Sequence, residues 1–207
     1  MSELTNQITT QLQLHRQEAL IKSRTQGIWY TGADLLEDIA LCKSSLQQQA
    51  VTAGQNMLVS LDNSAALPIV LLASWELGIN ITLAAPTTKP SLVNDHYTAM
   101  VYTPTSTQQL ATQLDPQQVS LLTLILNTAP NFAYLVQDLA PSLVQTPEAT
   151  LTIAGHHTVY TQSTLLQRAQ QLTPPAKITD LYDLDRGILP LLANLLQPTP
   201  VALAWAG

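Results

Sequence analysis

Helical and strand patterns alternate from residue 31 to residue 126, and this alternation restricts the fold more than any other feature of the sequence. Thr31 is placed to cap a helix with one apolar stripe. That stripe consists of Leu35, Ile39, Cys42 and Leu46. A second helix, over 67–77, lies between two short apolar strands. Such alternation is typical of a parallel sheet covered by helices. We therefore predict an α/β fold, with a mostly parallel sheet and helices on both faces.

The other elements follow from the same patterns. The predicted helices are 4–20, 67–77, 91–96, 106–114, 163–172 and 187–196. The predicted strands are 57–61, 79–83, 99–103, 119–126, 150–153, 158–161 and 201–205, and 19–21 pairs with 28–30 as a hairpin. The near-continuous apolar run 119–126 predicts a buried strand. Residues 127–149 contain Pro130, Pro141 and Pro147 and predict an irregular connection with one helix near 132–139. A length of 207 residues suits a single domain, 1–207.

Particular residues are expected to end these elements or to fill the core. The cluster Asp62-Asn63-Ser64 supplies capping residues before the helix 67–77, and Gly78 is placed to end that helix. Cys42 lies on an apolar stripe and is expected to be a buried small hydrophobic residue. The aromatic residues Trp29, Tyr30 and Trp75 are also assigned to the core.

The charge balance argues against a nucleic-acid partner. The chain has 8 Lys and Arg against 14 Asp and Glu, for a net charge of −6 at pH 7, so it lacks the basic surface that a phosphate backbone requires. Its longest apolar stretches, 65–75 and 119–126, are shorter than the roughly 20 residues that cross a bilayer. No basic segment followed by an apolar run marks a secretion signal. We expect a cytoplasmic protein without a membrane span.

The motifs of nucleotide and hydrolase sites are absent from the sequence. A phosphate-binding loop needs closely spaced glycines, so that several backbone N–H groups point at the anion. No two of the seven glycines lie within four residues of each other. The sequence also contains no HExxH zinc motif and no GxSxG nucleophile elbow. The single cysteine, Cys42, excludes a disulfide framework and a Cys-based zinc site.

Two groups of polar residues remain as candidates. His156 and His157 would face opposite sides of a strand, so a metal site would use one of them at most. The favoured interpretation is surface or turn histidines. The cluster of Asp180, Asp183 and Asp185 could serve a divalent metal or a general acid. Capping of the following helix, with Arg186 as counter-ion, is the favoured interpretation. No catalytic, cofactor-binding or metal-ligating residue is predicted, and no cofactor.

Several segments resemble the acyl-adenylate-forming enzymes, which are the acyl-CoA synthetases, fatty-acyl-AMP ligases and peptide-synthetase adenylation domains. Residues 29–37, WYTGADLLE, resemble the family's "T-Y-x-E-L-L" start of a helix. Residues 51–61, VTAGQNMLVSL, resemble "V-x-x-G-D-x-V-x-x-x-L", and Asn63-Ser64 resembles the "N-S" that follows. Residues 158–166, TVYTQSTLL, resemble "V-x-x-T-H-x-x-L-L". The resemblance is best in 1–126 and looser in 150–207, and it implies the fold of the family's N-terminal subdomain.

Departures from the family's pattern concern its chemistry. The family's phosphate-binding loop, with its Ser/Thr-Gly pairs and lysine, belongs just before 158–166. Here residues 151–157 read LTIAGHH, with one glycine and no lysine. The family's histidine position reads Gln162. The sequence ends before the family's adenine-binding, magnesium-binding and catalytic-lysine motifs, so none of the family's functional residues is assigned to a position here.

Three functions follow as hypotheses. The first is a truncated, non-catalytic relative that acts as a binding or protein-interaction module in acyl or carboxylate metabolism. Its expected partner is an acyl carrier protein, a complementary ligase chain or a second copy. The second is one subunit of a split ligase, because the strand 201–205 would leave a sheet edge unpaired. The third is an unrelated hydrolase or metal-binding protein that uses His156, His157 and the acidic cluster, which requires these residues to lie close together.

Overall fold

Two β-sheets share one apolar core in the computed structural model, which describes residues 2–24, 26–86, 96–112, 117–137 and 148–204. The helices are α1 Glu3–Leu14, α2 Gly32–Gln48, α3 Ala66–Glu76, α4 Pro104–Ala111, α5 Gln162–Ala169 and α6 Leu189–Leu196. The strands are β1 Ala19–Ser23, β2 Trp29–Thr31, β3 Asn56–Ser60, β4 Asn80–Leu83, β5 Ala99–Tyr102, β6 Val119–Leu124, β7 Phe132–Gln137, β8 Thr150–Ile153, β9 Val159–Thr161, β10 Lys177–Ile178 and β11 Val201–Leu203. A π-helical turn, Leu184–Ile188, leads into α6.

The larger sheet has the order β6-β7-β5-β3-β4-β8-β9. Its centre, β5-β3-β4-β8, is parallel, whereas β6, β7 and β9 are antiparallel to their neighbours. The chain runs from β3 to β4 on one side and then returns to β5 on the other side of β3. The α/β prediction is confirmed, with a mixed sheet whose parallel strands form the centre.

The smaller sheet has the order β10-β11-β1-β2, and the sequence patterns did not separate it from the larger one. Strand β11 lies between β10 and β1, parallel to both. The expectation that the last strand leaves a sheet edge unpaired is therefore wrong. The two-residue strand β10 is too short to produce a hydrophobic period.

Helices cover both sides of the larger sheet. Helix α1 packs against α2, α3, α5 and α6. Helix α3 is buried on every side from Ala66 to Trp75, as expected for a helix that is apolar all round. On the opposite face, α4 packs on β5, β6 and β7, where a smaller cluster of buried side chains forms. This cluster contains Met100, Tyr102, Leu110 and Leu135.

The local predictions that rest on turn and cap chemistry are confirmed. Strands β1 and β2 pair as the predicted antiparallel hairpin. Thr31 caps α2 in a capping box with Asp34. The Asn63 Oδ1 atom accepts hydrogen bonds from the backbone N–H groups of Ala65 and Ala66, at 3.1 and 3.2 Å. Gly78 follows α3 with a φ of 78°, which is the left-handed conformation that favours glycine.

Three predictions from apolar content are wrong. The run 119–126 is not a buried strand, because β6 is an antiparallel edge strand with one exposed face. The helix predicted near 132–139 is instead the buried strand β7. Trp29, assigned to the core, is 41% exposed beneath the Lys22 ammonium group. Tyr30 and Trp75 are buried as predicted. The predicted helix 91–96 falls in residues 87–95, outside the described residues, except for His96.

Ala50 offers a direct test of the backbone geometry that ends α2. It follows the helix with a φ of 56°, a conformation that costs an L-residue roughly 1–2 kcal/mol. We expect Ala50→Gly to raise the free energy of unfolding by about 0.5–1 kcal/mol. The matched variant Ala40→Gly, at an exposed position inside α2, should lower it by about 1 kcal/mol. Urea denaturation followed by circular dichroism measures both, and equal effects of the two variants would contradict the assignment.

Candidate functional site

A pocket of about 240 Å³ opens at the carboxyl ends of β3 and β5. These are the strands between which the chain reverses direction across the larger sheet, and open α/β sheets bind ligands at such a point. We call this the switch-point pocket. Its apolar wall includes Leu61, Ala66, Tyr102, Phe132 and Ala133. Its polar lining includes Ser23, Gln26, Asp62 and Asn63.

The buried Asp38 carboxylate fixes one wall of this pocket. Its Oδ1 atom accepts a hydrogen bond from the Asn127 backbone N–H at 2.8 Å. Its Oδ2 atom accepts from both the backbone N–H and the hydroxyl of Thr128, each at 2.8 Å. The Thr128 carbonyl oxygen in turn accepts from the Asn63 Nδ2 atom at 2.9 Å. Helix α2 is therefore connected through the turn at Thr128 to Asn63, at the segment that leads into α3.

Sequence analysis did not identify Asp38, although one signal was available. Asp38 lies one position before Ile39 and three after Leu35, so it shares the apolar face of α2 and has to be buried with it. Burial is the largest influence on this carboxyl group and raises its pKa. The hydrogen bonds from Thr128 and Asn127 act in the opposite direction, because they favour the ionised form.

Tyr182 joins the end of β3 to the segment before α6. Its buried hydroxyl donates to the Leu61 carbonyl oxygen at 2.6 Å and accepts from the Leu61 backbone N–H at 2.8 Å. Burial raises the pKa of Tyr182, and the nearby Asp62 carboxylate adds to this rise. The phenol therefore stays protonated at neutral pH and acts as a structural link at the sheet edge.

A second pocket, of about 310 Å³, lies at the carboxyl ends of β4 and β8. It brings His156 together with Asp180, Asp183 and Asp185, while His157 does not line it. Both histidines lie in the β8–β9 loop rather than on a strand, so the argument about opposite strand faces does not apply. The requirement that one histidine and the acidic cluster share a site is met. We call this the acidic pocket.

The carboxylates of the acidic pocket are engaged by arginines. The Arg186 guanidinium lies 3.3 Å from Asp180 and 3.2 Å from Asp183. Arg168 lies 2.5 Å from Asp185. The Asp183 Oδ1 atom also accepts the Arg186 backbone N–H at 2.7 Å, which lowers the pKa of Asp183. Asp183 caps the π-helical turn that leads into α6, whereas α6 itself has no side-chain cap. Arg186 is the counter-ion, as predicted, although it pairs with Asp180 and Asp183.

Over the described residues, no three His, Cys, Asp or Glu side chains are grouped so that they could hold a metal ion. Cys42 is buried, as expected, and burial together with Asp38 raises the pKa of its thiol to about 12. Such a thiol is a poor nucleophile. No described helix is long and apolar enough to cross a membrane.

The β8–β9 loop, residues 154–158, occupies the place where the resemblance puts a phosphate-binding loop. Only one glycine, Gly155, has a positive φ there, of 84°. The Ala154 N–H donates to the Leu83 carbonyl oxygen at 2.7 Å and the His156 N–H to that of Ile153 at 2.9 Å. These two donors are engaged by the protein backbone. The acidic pocket lies beside the loop, so the nearby carboxylates oppose the approach of an anion.

Comparisons with known proteins identify the fold. No protein-family model and no curated protein matches this sequence. Among solved structures, the inhibitor-bound N-terminal domain of FACL13 from Mycobacterium tuberculosis matches 100% of this chain and 58% of its own, with a TM-score of 0.67 and 10% identity. Coronafacic acid ligase from Pectobacterium brasiliense matches 99% of this chain and 46% of its own, with a TM-score of 0.64 and 15% identity.

An artificially fused adenylation-PCP di-domain, NpsA-ThdA from Klebsiella oxytoca, matches 98% of this chain and 40% of its own, with a TM-score of 0.62 and 11% identity. The chain therefore spans about half the length of the ligases it matches. The expected fold is confirmed, since this chain has the fold of the N-terminal part of acyl-adenylate-forming enzymes.

The pH dependence of stability tests the Asp38 anchor. A carboxyl group whose pKa is raised by folding binds its proton more tightly in the native state, so its contribution to stability falls as the pH rises from about 4 through the raised pKa. We expect this fall in the wild type and not in Asp38→Asn. At pH 7, Asp38→Asn should be less stable by about 1–3 kcal/mol, because its amide N–H group faces backbone N–H donors.

Urea unfolding at a series of pH values measures this difference, with the exposed Asp185→Asn as the control for loss of a carboxylate. Parallel pH profiles for the wild type and Asp38→Asn would contradict the assignment.

Proposed function

We propose that this chain is a non-adenylating binding module built on the N-terminal fold of acyl-adenylate-forming ligases, with the switch-point pocket as its binding site. One observation carries the first part of the proposal. The β8–β9 loop has a single glycine and no lysine, and it lies beside three carboxylates.

The chemistry of adenylation explains why this matters. Formation of an acyl-adenylate requires attack on the α-phosphate of ATP, with magnesium and cationic or N–H donors stabilising the phosphates. The cationic groups that the structure describes near the loop, Arg168 and Arg186, are each engaged by aspartates. A triphosphate would have to displace these pairs and lie against the remaining negative charge.

The proposed partners follow from the fold and from one of its structural neighbours. The ligase fold supports a place in acyl or carboxylate metabolism, and the similarity to an adenylation-PCP fusion supports an acyl carrier protein as a docking partner. A second copy of the chain is the alternative. The unpaired, buried Cys42 is compatible with the proposed cytoplasmic location.

A split ligase is the second candidate. The ligases align with this whole chain over only 40–58% of their own length, so a complementary chain would have to supply the remaining fold and its phosphate and adenine motifs. An unpaired edge at β11 does not support this candidate, because β11 lies between β10 and β1. The third hypothesis, an unrelated hydrolase or metal-binding protein, loses support, since each aspartate of the acidic pocket is paired with an arginine and the pocket belongs to a ligase-like fold.

ATP–pyrophosphate exchange tests the proposal. We expect the purified chain to show no exchange above a heat-inactivated control with any member of a panel of aliphatic, aromatic and amino carboxylic acids. The physical reason is the missing stabilisation of the phosphates. Exchange by the chain alone would contradict the non-adenylating role.

The same assay separates the two candidates. A carrier protein or a second copy should leave the exchange at background. Exchange that appears only after addition of a complementary ligase chain would favour the split ligase over the binding module.

A further inference from the structure

We propose that the switch-point pocket binds a small primary arylalkylamine, that is, one aromatic ring carrying a short chain that ends in an ammonium group. This inference deepens the proposed binding role and rests on it. It is drawn from the size of the pocket, the side chains that line it and the distribution of charge around its mouth.

The volume of the pocket and the side chains of its wall indicate a ligand with a single aromatic ring. An apolar cavity of about 150 Å³ is known to hold benzene, and this pocket, at about 240 Å³, has room for a ring with a short substituent. Tyr102 and Phe132 are both among its lining residues and both are buried. Aromatic walls favour an aromatic occupant and also attract a cation.

The charge at the mouth of the pocket indicates a positively charged ligand. Asp62 follows β3 at the exposed mouth of the pocket, and no described residue donates a hydrogen bond to its carboxylate or pairs with it as an ion. None of the described residues that line the pocket is a lysine or an arginine. An ammonium group would therefore gain a partner at Asp62, whereas the Asp62 carboxylate would repel a carboxylate or a phosphate.

A buried polar side chain supports a polar occupant. Ser23 lines the pocket with 1% of its surface exposed. Its Oγ atom accepts a hydrogen bond from the Gln26 backbone N–H at 3.3 Å, and among the described residues it donates none. Its Oγ atom keeps a second lone pair, which can accept a hydrogen bond from an ammonium group in the pocket. Asn63 differs, because its side chain is engaged by Thr128 and by the start of α3.

The test compares three ligands of the same shape by calorimetry and by backbone amide NMR shifts. Phenethylamine carries a positive charge, 2-phenylethanol none and phenylacetate a negative charge. We expect phenethylamine to bind about fivefold more tightly than 2-phenylethanol, the range of a partly exposed ion pair, and phenylacetate to bind more weakly than both. The shifted amides should include Leu61 and Ala133.

Two variants make the test specific. Asp62→Asn should reduce the preference for phenethylamine over 2-phenylethanol to less than twofold while the alcohol still binds. Asp185→Asn, which removes a carboxylate from the acidic pocket instead, should leave the preference unchanged. Equal or tighter binding of phenylacetate, shifts that avoid the pocket residues, or no binding by any of the three ligands would overturn the proposal.

The failure of this inference is distinguishable from failure of the proposed function. ATP–pyrophosphate exchange is measured on the same preparation without amines. Exchange would contradict the non-adenylating role, and the binding data for the three ligands would still decide whether the proposed ligand class is right. A lost preference without exchange would contradict the ligand class alone.

Discussion

The buried carboxylate of Asp38 is the interaction on which the candidate site depends. It receives three hydrogen bonds from two consecutive residues, Asn127 and Thr128, and so holds the turn between β6 and β7 against helix α2. The Thr128 carbonyl oxygen then positions Asn63, whose Oδ1 atom accepts from the backbone N–H groups that lead into α3. Burying a carboxylate is costly unless hydrogen bonds compensate for lost water. The residues that form the pocket wall are thus held by the same bonds that make the buried charge tolerable.

The two pockets lie at one sheet edge and differ in chemistry. Tyr182, which lines the acidic pocket, makes two hydrogen bonds to Leu61, which follows β3 and lines the switch-point pocket. The acidic pocket is lined by three aspartates that two arginines already engage, so its carboxylates have partners but the pocket keeps a net negative charge. The switch-point pocket keeps one carboxylate, Asp62, without a partner among the described residues. The proposed non-adenylating role rests on the charged groups around the loop rather than on the fold, because a fold alone does not determine chemistry.

Features set by neighbouring residues could be predicted from the sequence, whereas the pairing of distant strands could not. The cap at Thr31, the turn at Gly78 and the β1–β2 hairpin depend on neighbouring residues, which the sequence shows directly. The apolar run of β6 does not indicate that the strand lies at a sheet edge, because the same pattern of apolar residues occurs in central and in edge strands. Strand β7 was misassigned as a helix for a related reason, since a short apolar run fits both periods. Of the candidate site, His156 and the three aspartates were named from sequence. Asp38 and the switch-point pocket were not, since they depend on contacts across about 90 residues.

We propose above all that the β8–β9 loop of this chain does not bind the triphosphate of ATP. The most direct measurement is a titration with magnesium and ATP, followed at the backbone amides of residues 154–158 by NMR. The account predicts no saturable shift of these amides at millimolar nucleotide, because the Ala154 and His156 N–H groups are already bonded to backbone carbonyl oxygens and carboxylates lie beside them. Saturable shifts centred on Gly155 would contradict it.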